Sequence, residues 1–194
     1  MYDGISYRDV KVTSPRGNSL QLHVEHLANM AFPDLCLISY SVTSLNYSGK
    51  LSLLPLLEAN LNERSEQTEE RIWNLLDSGV AHDCAYLWTQ TRREDAQVCY
   101  AMTYQFYKNH KEASHNPIRI EKGKQTGFSL GIDMKPGDTV TLLKYVVIAS
   151  SLYYERQELV EKSIHIAREA KNKGWETLTQ AHKQAWHDIW EEAD

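Results

Sequence analysis

Long apolar runs, basic net charge and paired cysteines are all lacking in this sequence. No segment approaches the roughly 18 consecutive apolar residues of a membrane helix. The first ten residues, MYDGISYRDV, have neither the basic nor the apolar part of a signal peptide. A net charge of −5 argues against a nucleic-acid-binding surface, which is normally basic. We therefore expect a cytoplasmic protein that binds neither membranes nor nucleic acids.

Cysteine is also scarce. Cys36, Cys84 and Cys99 are three in number, widely spaced and without a CxxC pair. An odd number of separated cysteines is atypical of a disulfide scaffold, whereas free cysteine is among the most buried residue types. The sequence predicts three reduced structural thiols.

Familiar catalytic motifs are missing as well. There is no HExxH, and His182 and His187 are five residues apart, so they do not share a helix face as i, i+4 metal ligands do. The stretch EKGKQTG resembles a phosphate-binding loop, but Ile118 and Gln125 stand where that motif needs glycine and serine or threonine. We interpret this stretch as a solvated turn.

Adjacent carboxylates are the remaining candidates for catalysis, because sugar hydrolysis uses two of them across a cleft. Each pair lies in a strongly polar run, where carboxylates stay solvated, so we assign them to the surface. The pairs are Glu69–Glu70, Glu94–Asp95 and Glu191–Glu192.

Up to about residue 150 the pattern is that of strands. In SLQLHVEHL, Leu20, Leu22 and Val24 alternate with polar residues, as in a half-buried strand. Similar segments follow at 34–45, 84–92, 97–108 and 126–150, the last around the turn KPGD. Short strands with polar turns predict an antiparallel β-sandwich.

Segment 58–80 interrupts this pattern. Its first half is charged and is expected to be an exposed loop. TEERIWNLLDSG is interpreted as a short helical turn, capped by Ser65 or Thr68 and ended by Gly79.

From residue 155 the apolar spacing changes to that of helices. Segment 155–173 carries one apolar stripe and ends at Gly174 after a basic turn. A second helix over 175–194 places tryptophan at 175, 186 and 190 on one face and continues to the last residue with no stop signal. We expect that face to pack against a partner domain.

Six aromatic residues in neighbouring predicted strands leave two interpretations open. Exposed rings on a sandwich face stack on sugars, whereas buried rings build a sandwich core, which we favour. These residues are Tyr86, Trp88, Tyr100, Tyr104, Phe106 and Tyr107.

The end of the chain, AHKQAWHDIWEEAD, resembles the linker into the catalytic barrel of glycoside hydrolase family 65, the maltose, trehalose and kojibiose phosphorylases. His182, Trp186, Trp190 and Asp194 fit the family's H-x3-W-x3-W-x3-D spacing. Upstream, YRDVKVTSPRGNSLQLHVEHLANMAFPDLCLISYSVTSLNYSGKL is similar to the family's early strands.

This resemblance implies a mainly β fold: an antiparallel, supersandwich-like β-sandwich over 1–152, without the family's first strands, and a helical linker over 153–194. It implies a missing (α/α)6 barrel that holds the general acid of an inverting phosphorylase, with a hydrolase as the less favoured alternative. The implied co-substrate is inorganic phosphate, the implied substrates are α-linked glucose disaccharides, and the reaction needs no metal or organic cofactor. The implied docking face is Trp175, His182, Trp186, Trp190 and Asp194.

By this resemblance the chain is a non-catalytic N-terminal part of a bacterial, cytoplasmic homo-oligomer such as a dimer, and it is inactive alone. Two alternatives remain: a stand-alone carbohydrate-binding module, and a structural or oligomerisation domain.

Overall fold

The computed structural model describes residues 3–59 and 73–193, and in these ranges twelve strands are followed by two helices. A short 3-10 turn, Arg156–Glu158, precedes the first helix. The strands are β1 (Ser6–Thr13), β2 (Ser19–Ala28), β3 (Leu35–Ser44), β4 (Gly49–Leu53), β5 (Leu56–Glu58), β6 (Trp73–Ala81), β7 (Cys84–Thr91), β8 (Gln97–Lys108), β9 (Lys111–Glu112), β10 (Ile118–Lys122), β11 (Gln125–Met134) and β12 (Thr139–Ser150), and the helices are α1 (Leu159–Lys173) and α2 (Trp175–Ala193).

The strands form two antiparallel sheets, which confirms the predicted mainly β fold. The larger sheet has the order β1-β2-β3-β12-β8-β7-β6, and β9 also pairs with β8. The smaller sheet has the order β10-β11-β4, with β5 also pairing with β11. Consecutive strands β2 and β3 are neighbours, whereas β12 returns to lie between β3 and β8.

Two apolar cores divide the molecule into three layers. One core lies between the two sheets and contains Phe106, Phe128, Leu130 and others. The second lies between the larger sheet and the helices, where Leu37 and Tyr145 meet residues of α1 and α2 such as Leu159. Successive strand residues point to opposite faces. The central strands β3, β12, β8 and β7 are therefore apolar on both faces of the larger sheet.

The predicted turns are confirmed by their hydrogen bonds. In KPGD, the Lys135 amide donates to the Asp138 side chain over 2.8 Å, and Gly137 has a φ of +86°, which favours glycine. EKGKQTG forms the end of a hairpin in which Lys122 pairs with Gln125. It is therefore a turn, as expected.

The helical turn predicted in segment 68–79 is wrong where the structure describes it. Trp73–Ala81 is strand β6, which pairs with β7 at the edge of the larger sheet. A bulge between Leu75 and Asp77 shifts the register, so the alternation expected of a strand is broken. The proposed caps Ser65 and Thr68 lie outside the described residues.

The two predicted C-terminal helices are confirmed. α1 buries Leu159, Ala167 and Ala170 against the larger sheet. Gly174 ends α1 with a φ of +81°, and its amide donates to the Ala170 carbonyl. The chain then turns at once into α2.

The six aromatic residues do not form one platform, because the strand register divides them between two faces. Tyr104 and Phe106 are buried between the sheets, and Tyr100 packs on the same core. Tyr86 and Trp88 pack on the helix side of the larger sheet. The interpretation of core rings is correct for these residues.

Cys84 and Cys99 are fully buried and Cys36 is half-buried, and all three are free thiols. Burial raises the pKa of Cys84 to about 12 and that of Cys99 to about 11. These environments fit the predicted structural thiols. None of the helices in the described ranges is long and apolar enough to cross a membrane.

The carboxylate pairs occupy the surface where they are described. Asp95 forms an exposed ion pair with Arg156 at 2.7 Å, and Glu191 forms one with His187 at 2.9 Å. Glu69 and Glu70 lie outside the described residues.

Candidate docking face on the C-terminal helix

The predicted docking face belongs to α2, and the structure separates its members by depth. His182 is only 1% exposed, Trp186 is half-buried, and Trp190 is 48% exposed. Trp175, at the other end of α2, packs against the core under the helices. Asp194 lies outside the described residues. Docking by this face therefore stays a prediction.

His182 connects α2 to the start of the chain. Its Nε2 lies 2.9 Å from the Asp3 carbonyl oxygen, and the Met30 amide is 3.1 Å from its Nδ1. Since a carbonyl only accepts and an amide only donates, the imidazole is neutral, with its proton on Nε2. Both ring nitrogens are satisfied inside the chain.

Gly4 makes close contact between the N-terminal segment and α2 possible. A Cβ added there would lie 2.9 Å from His182 Nε2 and 3.1 Å from Trp186 Cδ2. Gly4 also has a φ of +64°, which disfavours other residues. The start of the chain can therefore lie directly on the His182–Trp186 side of the helix.

Charged and polar groups reinforce this contact. The Asp3 carboxylate accepts hydrogen bonds from the Tyr7 hydroxyl at 2.8 Å and the Ile5 amide at 3.3 Å, with the Lys183 ammonium 3.8 Å away. Burial acts to raise the pKa of Asp3, but these donors outweigh it and hold the pKa below its usual value. Burial and the Asp3 hydrogen bond raise the pKa of Tyr7 to about 12.

The loop after β2 also holds α2. Asn29 is buried, and its side-chain amide donates to the Leu178 carbonyl at 3.0 Å. Its side-chain oxygen accepts from the Ala31 and Phe32 amides. Sequence reasoning missed Asp3, Gly4 and Asn29, because each depends on a contact between distant parts of the chain.

The outer end of α2 has a different character. Trp186 stacks with His182 at a centroid distance of 6.3 Å, and Trp190 meets Trp186 edge to face at 6.2 Å. Trp186 Nε1 is buried and has no hydrogen-bond partner among the described residues. Ile189 is 46% exposed beside Trp190. The exposed apolar surface thus begins beyond the part of α2 that Leu178 and His182 join to the rest of the chain.

The sequence pattern described as the glycosyl hydrolase family 65 N-terminal domain matches residues 1–189. The chain belongs to this family.

Relatives within family 65 are much longer than this chain. An alpha,alpha-trehalose phosphorylase of Thermoanaerobacter brockii is 21% identical over 204 residues, which cover 100% of this chain and 26% of the relative. A maltose phosphorylase of Bacillus subtilis is 21% identical over 194 residues, covering 100% and 25% respectively. The chain thus spans about a quarter of the length of the curated relatives that it matches.

A solved structure described as a kojibiose phosphorylase from the human microbiome has the same fold. It superposes with a TM-score of 0.75 at 14% sequence identity, covering 97% of this chain and 24% of that chain. The similarity therefore supports the arrangement of sheets and helices described above.

Proposed function

We propose that this chain is the non-catalytic N-terminal part of a family 65 phosphorylase that cleaves an α-linked glucose disaccharide with inorganic phosphate. The match over residues 1–189 supports this proposal, together with relatives that include trehalose, maltose and kojibiose phosphorylases. On this proposal the enzyme works in the cytoplasm without a metal or organic cofactor.

In this proposal a C-terminal (α/α)6 domain supplies the general acid that protonates the glycosidic oxygen while phosphate attacks the opposite face of the sugar. The present chain supplies a rigid support for that domain. Trp190 and Ile189 would make apolar contacts with it. The contacts of His182 would fix the direction of α2, and so the position of the partner domain.

An activity assay tests the assignment of catalysis. The purified chain is expected to form no glucose 1-phosphate from maltose, trehalose or kojibiose with phosphate. Turnover above a blank that disappears when one carboxylate of this chain is changed would overturn the proposal.

Hydrogen exchange and light scattering test the docking face. If Trp190 and Ile189 contact a partner domain, residues 187–193 of the isolated chain should exchange faster than 176–184, or the chain should self-associate through this surface. Trp190→Ala should reduce self-association, whereas Tyr153→Ala, which removes another exposed aromatic side chain, should not. A strictly monomeric chain with strong protection through residue 193 would contradict docking by this face.

A second candidate function, a stand-alone carbohydrate-binding module, loses its predicted platform because most of the six rings pack on the two cores.

A further inference from the structure

A cleft of about 500 Å³ lies where the chain turns from α1 into α2. Its floor is the helix-side face of the larger sheet. Thr141 pairs with Tyr107 and Leu143 pairs with Gln105 across β12 and β8, so these four side chains share one face. α1 covers the same face further along and ends at Lys173, after which α2 runs toward the N-terminal segment. The floor is therefore left open.

The walls of the cleft combine two aromatic rings with fixed hydrogen-bonding groups. Trp175 and Tyr107 both line it, and both are half-buried. The Gln105 side-chain oxygen accepts a hydrogen bond from the buried Tyr145 hydroxyl at 2.5 Å. Its amide nitrogen is thereby identified, and both N–H donors lack a partner within the described residues. A half-buried apolar surface with a few oriented polar groups is typical of a ligand site.

The charges around the cleft favour a neutral ligand over an anion. His110 and Lys173 both line the cleft, and the Lys173 ammonium lies over the ring of Phe32, 4.5 Å from the centroid. Glu176 adds a carboxylate at the start of α2, where it offsets the positive end of the helix dipole. Carboxylate and amide groups together accept from and donate to hydroxyls.

We propose that this cleft binds a neutral sugar, with one pyranose ring stacked on Trp175 or Tyr107 and its hydroxyls hydrogen-bonded by Gln105 and Glu176. The cleft volume lies within the range of about 300–1,000 Å³ that is usual for small-molecule sites. The inference rests on the proposed function only for the choice of glucosides. The site differs from the six-ring platform, of which it uses Tyr107 alone.

Titration of the 194-residue chain with maltose and glucose, followed by tryptophan fluorescence and calorimetry, tests the site. Saturable binding with a Kd of roughly 1 mM is expected for a small, open cleft. Tyr107→Leu removes a ring but keeps an apolar strand residue. Gln105→Glu keeps the acceptor for Tyr145 but removes both N–H donors. Each variant should weaken binding by about tenfold.

Tyr153→Leu is the matched control, because Tyr153 is 81% exposed and lies outside the cleft. It should leave the affinity unchanged, and thermal unfolding should confirm that each variant is folded. Absence of saturable binding by any neutral sugar, or equal affinity in the Tyr107 and Gln105 variants, would overturn the site. Tighter binding of inorganic phosphate than of maltose would overturn the assignment to a neutral ligand.

These results are independent of the proposed function. If the chain failed to bind sugar, the proposed docking face and the expected inactivity of the isolated chain would still stand. Conversely, activity of the isolated chain would overturn the proposed function while a sugar-binding cleft remained.

Discussion

His182 and Asp3 are 179 residues apart in sequence, yet the imidazole Nε2 lies 2.9 Å from the Asp3 carbonyl oxygen. This contact joins the two ends of the described chain. It also satisfies both ring nitrogens of the first residue in a motif that family resemblance assigns to domain docking. His182 therefore has a role inside this domain, whatever follows α2.

Replacement of His182 should destabilise the fold. In His182→Phe, the Met30 amide and the Asp3 carbonyl lose their partner in a partly buried site, and a buried group left unsatisfied costs about 1–3 kcal/mol. We expect the free energy of unfolding to fall by about 2–4 kcal/mol in urea denaturation. His187→Phe is the control, because His187 is an exposed histidine on the same helix and should change stability by less than about 0.5 kcal/mol. Equal free energies of unfolding for His182→Phe and the wild type would show that the two hydrogen bonds contribute nothing to stability.

Comparison of Gly4 with Gly17 separates the effect of close packing at Gly4 from the effect of its backbone conformation. Gly4 and Gly17 both have positive φ, but an added Cβ meets nothing within 4 Å at Gly17 and meets His182 at Gly4. Gly17→Ala should therefore show only the conformational cost, about 1 kcal/mol. Gly4→Ala should lose at least about 1 kcal/mol more in the same denaturation assay. If the two variants unfold alike, the contact between Gly4 and α2 is not tight.

The sequence predicts the elements of this fold better than their contacts. Periodicity places β2, β3 and both helices, because alternation and i, i+3, i+4 spacing follow directly from backbone geometry. It cannot reveal that Gly4 and Asn29 contact α2, since those contacts join remote segments. β6 is misread because its bulge removes the alternation and pairing with β7 decides its conformation.

For the docking face, too, the sequence predicts the helix but not the contacts of each side chain. Spacing correctly groups His182, Trp186 and Trp190 on neighbouring turns of one helix, and ring contacts join them. Whether each side chain faces the chain itself or a partner depends on where β1 and the loop after β2 run. For that reason His182 is buried and Trp190 is half exposed, although both belong to one motif.

Thiol labelling should distinguish the three cysteines. Cys84 and Cys99 are fully buried and burial raises the pKa of both, so they should resist a thiol reagent at pH 7.5 in the native protein. Cys36 is half-buried and its pKa is also raised by burial, so it should react slowly. The denatured protein should react with three equivalents of the reagent. Cys36→Ser should remove the slow reaction of the native protein. One fast thiol in the native protein would point to a reactive site instead.

Lys144 gives the fold an unusual dependence on pH. Its ammonium lies between the sheets and donates to the Leu56 carbonyl at 2.9 Å, and the described residues provide no carboxylate within ion-pair distance. Burial lowers its pKa from 10.5 to about 8. Between these two values the unfolded chain binds a proton that the folded chain does not, so this residue makes the fold more stable as pH rises from 8 toward 10.5.

Comparison with Lys144→Met isolates this effect from the titration of other groups. The variant keeps an unbranched apolar side chain but buries no charge, so at pH 7 it should equal or exceed the wild type in stability. The lowering of the Lys144 pKa from 10.5 to about 8 corresponds to at most about 3 kcal/mol of folding free energy. The stability difference between variant and wild type should therefore move in favour of the wild type as pH increases from 7 to 9.5, as measured by urea denaturation. Lys11→Met, at an exposed position on β1, should show no such trend. A difference that stays constant over this range would mean that Lys144 keeps its charge in the folded state up to at least pH 9.5.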